Sequence, residues 1–485
     1  MTVSINTKLG LNRNSVARIW LEGFKLEREG IRPSMSYSMR HDRETKSFVV
    51  VMKHGSVDDP HAIKSGTVSR RKVRGEEGKY LPLIEIASHE FKKAFSDYPV
   101  RIVITGLTIT ISIARAAKDL MERILRFKNR ISRGEPLRTI SQFHGGGVMD
   151  LAVHCGLAKH KIASYVRLAF ELEPRYIDSS LRNNPELWRA DSAIFEGSIE
   201  NFNPTGCSVP QCEILIAGMP CTAHSLAGRA KKQPEHAEDD EKAGHMLIYF
   251  LMGALATNPV MILLENVKQL QTSPSMSIIR NVLRSRHYRL SEAVIHGNDF
   301  GSLEGRERLY MVAVSEGMPE PNLAFVSGEK SRPASVEEIL DEDDGEGYLD
   351  MNYLLKKELR DQQKGSNFKA MLVEPTATSL PVMCKGYSKV RSGEPYLAHP
   401  DRTLRGVARK FTAKEHARIK TIPESLVDGL SETIAHEILG QSVIFEVVRC
   451  LMGHLAKQWL TWLGWSERGA SRGERTRCQD HAIAA

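Results

Sequence analysis

Glu213-Ile214-Leu215-Ile216-Ala217-Gly218 delivers Met219-Pro220-Cys221, and Val260-Met261-Ile262-Leu263-Leu264 delivers Glu265-Asn266-Val267. Each is a short, bounded apolar run, the pattern of a strand buried on both faces. Between them lie a polar loop, Thr222 to Lys242, and an apolar stretch, His245–Thr257, that reads as a helix. Strand, helix and strand make a βαβ unit, whose strands are parallel and whose crossover is right-handed. Both runs therefore end at one edge of one sheet, with Cys221 and Glu265 side by side. Open α/β sheets bind their ligands at that edge.

The same alternation continues upstream. Leu137–Gln142 reads as a strand, Phe143-His144-Gly145-Gly146-Gly147 as a turn, and Val148–Leu157 as a helix. Glycines at such a turn let backbone approach a ligand and aim helix N–H groups at it. No Lys-Ser/Thr follows them, so the turn is not a triphosphate loop. The next strand, Ser164–Phe170, ends at Glu171, where Rossmann-like sheets place the acid that grips a ribose diol. The fold class is α/β, a Rossmann-like sheet. Taken alone, Cys221 reads as a buried structural thiol; its place after one strand, beside Glu265 after the next, points to a nucleophile.

The order Phe143-x-Gly145-x-Gly147, Glu171, Pro220-Cys221, Glu265-Asn266-Val267, Arg306-x-Arg308 and Gly440-Gln441-Ser442-Val443, over residues 137–458, resembles the cytosine-C5 DNA methyltransferases. The resemblance implies an S-adenosylmethionine site lined by Phe143, Gly145, Gly147, Glu171, Leu172, Ser198, Pro220 and Ser442. It implies Cys221 as the nucleophile that adds to C6 of cytosine, and Glu265 as the group at N3. Asn266 would hold the active-site loop, and Arg306 and Arg308 would face the flipped base and its phosphates. Four positions depart from the family pattern. Met219-Pro220-Cys221-Thr222 replaces Pro-Pro-Cys-Gln, and Gly197-Ser198-Ile199 replaces Gly-Asp-Ile. Glu304 stands where a glutamine is usual, and Gln441 where an asparagine is. None removes a catalytic group.

Charge points to the partner. Residues 1–140 hold 27 Lys and Arg against 15 Asp and Glu, a balance of +12 in a chain whose total is +8. A basic front end on a near-neutral body suits a polyanion, here double-stranded DNA. Residues 1–115 form a β-rich module with a loose internal repeat: Arg18–Leu21, charged Phe24–Gly30 and Ser47–Val51 are followed about 65 residues later by Leu83–Ile86, charged Glu90–Phe95, and Val100–Ile104 with Ile109–Ile113. Two such halves would pair into one small β-barrel. The opening resembles SymE-type and AbrB-like modules. A helix, Ala114–Ile131, lies in the linker 116–136; 137–314 is the catalytic and cofactor domain. Residues 315–400 are the target-recognition region, 401–465 the rest of the catalytic domain, and 466–485 a disordered tail. Lys385, Lys389 and Arg391, and Arg229, Lys231 and Lys232 in the polar loop, are candidate DNA contacts. Thr412 and Glu415 spell a capping box.

The seven cysteines lack the paired spacing of a zinc site, so no metal is expected. No apolar run reaches a membrane span and the start has no secretion signal. A cytoplasmic monomer is expected, with a cognate restriction enzyme as an open question. Two alternatives stand beside DNA methylation: the same chemistry on RNA, and a non-catalytic DNA-binding regulator. The intact Cys221, Glu265, Arg306 and Arg308 weigh against the second.

Overall fold

In the computed structural model of the protein, the described residues are 2–55, 59–73, 75–204, 209–220, 244–343 and 345–464. They fall into two units, Met1–Glu122 and Arg123–Ala485.

In the first unit the repeat is visible as strand, helix, strand, strand, used twice. Ala17–Glu22 leads through the helix Phe24–Arg28 to Ser36–Asp42 and Ser47–Lys53. Tyr80–Ala87 leads through His89–Phe95 to Val100–Thr105 and Thr108–Ile113. Each helix carries the chain from a four-stranded sheet to a six-stranded one. The halves pair with each other, Ala17–Glu22 with Tyr80–Ala87 and Ser47–Lys53 with Thr108–Ile113. The result is two sheets around one shared apolar core, with Ile19, Phe48, Ile84, Ile102 and Ile109 inside. The strands of each half are divided between the two sheets because each helix carries the chain from one to the other.

The second unit is built on a seven-stranded sheet. We label its strands β1 (Leu137–Gln142), β2 (Ser164–Glu171), β3 (Ala193–Glu196), β4 (Ile214–Gly218), β5 (Met261–Asn266), β6 (Tyr288–His296) and β7 (Glu307–Ser315). Their order is β3-β2-β1-β4-β5-β7-β6. The first five are mutually parallel, and β7 runs antiparallel to both β5 and β6. The period of two sets the core. Ile214, Ile216, Met261 and Leu263 pack on one face, and Leu215, Ala217, Ile262 and Leu264 on the other.

The helices are α1 (Arg115–Ser132), α2 (Val148–Ala158), α3 (Pro174–Asn183), α4 (Met246–Thr257), α5 (Pro274–Ser285), α6 (Asn352–Gln363), α7 (Ala413–Ile419), α8 (Glu432–Gln441) and α9 (Phe445–Trp462). α2 and α9 cover one face of the sheet, and α4 and α5 the other. From Arg123 onward, α1 is tied into this unit by buried arginines. Arg123 donates to the Ser315 hydroxyl at 2.6 Å and the Arg286 carbonyl at 2.7 Å. Arg126 and Arg138 both reach the fully buried Glu213, at 3.0 and 2.9 Å.

After β7 comes a small four-stranded sheet of Leu349–Asp350, Val407–Arg409, Tyr396–Ala398 and Leu372–Val373. Its strand Val407–Arg409 lies past residue 400. Thr412 and Glu415 form the capping box of α7. Among the described residues no single helix is long and apolar enough to cross a membrane.

Candidate active site

Strand register assembles the site. Gln142 lies beside Ala217 and Phe170, and Gly218 faces Glu265. The ends of β1, β2, β4 and β5 therefore share one edge, as the βαβ reading required.

At the β1 end the chain turns through Phe143, Gly145 and Gly147, all with positive φ (62°, 60° and 79°). Phe143 pays for that conformation in steric strain of the kind that collects at functional sites. Gly147 has no alternative: a Cβ there would lie 2.6 Å from the Ser180 hydroxyl. The Gly145 N–H donates to Glu171 Oε2 at 2.6 Å, and the Glu173 N–H to Glu171 Oε1 at 3.0 Å. Glu171 thus joins the glycine turn to the next loop. Leu172 stands 69 % exposed beside it. Gly197 N–H bonds the Glu171 carbonyl at 2.8 Å, which brings Ser198 to the same corner. Ser198 caps the short helix after β3 and donates to Glu200 at 3.1 Å. On the opposite side α8 overhangs the turn: a Cβ at Gly145 would be 3.6 Å from Gln441 Nε2, and one at Gly146 would strike Ile438. Ser442 ends that helix and bonds the Leu439 carbonyl at 2.7 Å.

At the β4–β5 end, Asn266 is buried and its amide donates to the Met219 carbonyl at 3.2 Å, two residues before Cys221. Its carbonyl oxygen accepts from Val267 N–H at 2.8 Å. Pro220 is exposed. Arg308 Nε meets Glu265 Oε1 at 3.2 Å, both largely shielded. Tyr310, paired with Glu265 across the ladder, is fully buried, and desolvation beside that carboxylate pushes its phenol up. Arg306 is buried and pairs with Glu304 at 3.3 Å. The structure therefore brings together Glu265, Arg306 and Arg308 with the loop that leads to Cys221. Cys221, Arg229, Lys231 and Lys232 lie outside the described residues.

Of the recognition-region candidates, Lys385, Lys389 and Arg391 are all exposed. Lys385 is also drawn toward the cofactor side, its ammonium 4.9 Å from the centre of the Tyr176 ring on α3. Lys420 is a buried lysine near the end of α8 that sequence reasoning missed. It follows α7, is fully buried, and donates to the carbonyls of Leu439 and Ser442 at the end of α8. A lysine closing a helix reads as ordinary solvated charge, so sequence offered no signal for its burial.

A family model for C-5 cytosine-specific DNA methylases matches residues 145–457. The type II methyltransferase M.Bsp6I of Bacillus sp. (strain RFL6) is 35 % identical over 108 residues, 21 % of this chain and 33 % of that protein. M.HaeII of Haemophilus aegyptius is 25 % identical over 276 residues, 53 % of this chain and 78 % of that protein. Among solved structures, the S. pombe Dnmt2 methyltransferase superposes with a TM-score of 0.51 at 20 % identity, over 67 % of this chain and 99 % of that one. That likeness shows the fold.

Proposed function

The chain belongs to the family of C-5 cytosine-specific DNA methylases, and we propose that it methylates C5 of a flipped-out cytosine in double-stranded DNA through a covalent bond from Cys221 to C6. It is an S-adenosylmethionine-dependent DNA cytosine-C5 methyltransferase by class. The observation that carries the residue roles is the β4–β5 edge. Gly218 faces Glu265 in register, Asn266 holds the Met219 carbonyl, and Arg308 pairs with Glu265.

C5 of cytosine is a poor nucleophile. Addition of the Cys221 thiolate to C6 makes an enamine with electron density at C5, and Glu265 stabilises it at N3 by donating or sharing a proton. Arg308 orients that carboxyl group. Arg306, always charged and able to donate in pairs, faces the base and its phosphate. S-adenosylmethionine, when bound, supplies an electrophilic methyl group to C5. Removal of the C5 proton by a base then expels the thiolate and restores the ring.

The glycine turn fits an adenosine-bearing ligand. A large apolar side chain, Leu172, stands in water next to a carboxylate and a helix N-terminus, which suits a purine, a ribose diol and a charged tail. Phe143, Gly145, Gly147, Glu171, Leu172, Ser198, Pro220 and Ser442 would hold it. Ser198 lacks the carboxylate usual there, so more of the recognition falls on Glu171.

Target choice is assigned to the region after β7, where Lys385, Lys389 and Arg391 are exposed, and Arg229, Lys231 and Lys232 are assigned to the backbone. Residues 1–115 add affinity through charge without reading bases. One recognition region beside one catalytic edge suits a monomer, and the type II relatives support a restriction enzyme as counterpart, in the cytoplasm. Bisulfite sequencing tests the whole reading. DNA from cells carrying the gene should show methylcytosine in one sequence context, and DNA from cells carrying Cys221→Ala none. Unmethylated DNA in the presence of folded wild-type protein would refute it.

A further inference from the structure

Lys420 has no exposed surface, although lysines ordinarily keep the ammonium in water. It donates to the Ser442 carbonyl at 2.9 Å and to that of Leu439. These carbonyls end α8, where unsatisfied acceptors and the helix dipole favour a cation. The Lys420 carbonyl accepts from Phe445 N–H at 3.2 Å, and Thr421 Oγ1 from Glu446 N–H at 3.0 Å. Residues 420 and 421 therefore hold the turn between α8 and α9.

The same residues hold the arginine strand. The Ile419 carbonyl accepts from Leu303 N–H at 3.1 Å and the Ser302 hydroxyl at 2.8 Å, and Ser302 Oγ accepts from Glu304 N–H at 3.0 Å. Glu304 is fully buried. Its Oε1 pairs with Arg306, and its Oε2 has no hydrogen-bond partner among the described residues. A buried charge is tolerated only where opposite charge matches it. Glu304 answers Arg306 beside it.

We propose that Lys420 is a positioning residue that couples the two halves of the active site. Its ammonium donors fix the end of α8, whose Gln441 overhangs Gly145, and its neighbour Ile419 holds Leu303 and Ser302 ahead of Glu304 and Arg306. The inference rests on the methyltransferase reading above. The side-chain task needs N–H donors and does not need charge, so an uncharged donor should restore it.

Lys420→Met removes both, and Lys420→Gln keeps an amide donor without charge. Calorimetry with S-adenosylmethionine and single-turnover methylation of DNA are measured on the full-length chain, with circular dichroism to confirm folding. Lys420→Met should weaken S-adenosylmethionine binding about tenfold and slow methyl transfer about tenfold or more, the scale of a charge-assisted hydrogen bond. Lys420→Gln should bind S-adenosylmethionine and transfer methyl within about threefold of wild type. Equal, binding-neutral losses in both variants that track the folded fraction would reduce Lys420 to a structural residue and overturn the proposal. So would a folded Lys420→Met with wild-type binding. If that variant does not fold, a folded Lys420→Gln whose S-adenosylmethionine binding is weakened about tenfold or more overturns it. A wild-type protein that neither binds S-adenosylmethionine nor methylates DNA would instead sink the methyltransferase reading, and the inference with it.

Discussion

Replacing Glu171 with alanine separates its structural task from its ligand task. Its two oxygens already accept the N–H groups of Gly145 and Glu173, at 2.6 and 3.0 Å. A carboxylate has about four acceptor sites, so lone pairs remain for a ribose diol. Hydrogen bonds to a charged group contribute about 1.5–3 kcal/mol each when water cannot replace them. Glu171 is only half-buried, so in the free variant water reaches both N–H groups and the fold loses little. A bound nucleoside excludes that water, and the deficit then falls on binding. The expected loss is about 1–3 kcal/mol, or about 5- to 150-fold in Kd. Glu171→Gln should fall between, because one end of its amide presents a donor to an N–H group that needs an acceptor. Calorimetric titration of folded variants with S-adenosylmethionine reads this directly. A Kd for Glu171→Ala within twofold of wild type would refute the assignment.

Asn266→Ala leaves the Met219 carbonyl and the Val267 N–H without their partner; thermal unfolding should report a loss of about 1–3 kcal/mol, and kcat should fall while cofactor affinity holds. An unchanged kcat would mean that Asn266 does not govern the loop carrying Cys221. Deleting residues 1–115 should leave the methylated sequence unchanged and flatten the salt dependence of DNA binding, by about 0.9 in log–log slope for each phosphate that the front unit no longer neutralises. A relaxed or altered target sequence would show that the front unit reads bases. Burial lowers Lys420 to about 7, against an ordinary value of 10.5, with Glu304 and Glu265 raising it and Arg306 and Arg308 lowering it; His416 of α7 lies in the same field. Between those values the unfolded chain holds a proton that the folded chain gives up, so this group's contribution to stability rises with pH across that window. Urea unfolding at pH 7 and pH 9 should show a rise in wild type, roughly 1–3 kcal/mol from this group, that is absent in Lys420→Met; equal slopes in the two proteins would count against it.

The catalytic edge was legible because a few strong rules over-determine it. A five- or six-residue apolar run bounded by polar residues is too short for a helix and reads as a strand buried on both faces. Two such runs joined by a helix must be parallel, and parallel strands end at one edge. β4 and β5 emerged within a residue or so of the apolar runs for this reason, and Gly218 faces Glu265 without any further assumption. The glycine turn was legible because Gly147 sits where no Cβ fits. In the first unit the internal repeat was readable. Its split into two sheets was not, because that depends on where the helices Phe24–Arg28 and His89–Phe95 carry the chain between ladders.

What stayed hidden is instructive about charge. Local pattern reports whether a residue can face water, and it gave Lys420 and Glu304 the same reading as any surface pair. Their burial is decided by contacts between segments far apart in sequence: residues 302–306, 419–421 and 439–446 meet only in the folded sheet. Glu304 was visible as a departure, a carboxylate where the family pattern has a neutral amide. That carboxylate pairs directly with Arg306 at 3.3 Å, and the Glu304 N–H donates to Ser302, whose hydroxyl donates to the Ile419 carbonyl. The departure at 304 therefore sits where the arginine strand is tied to the segment that follows α7, a contact that could be found only after the chain was folded.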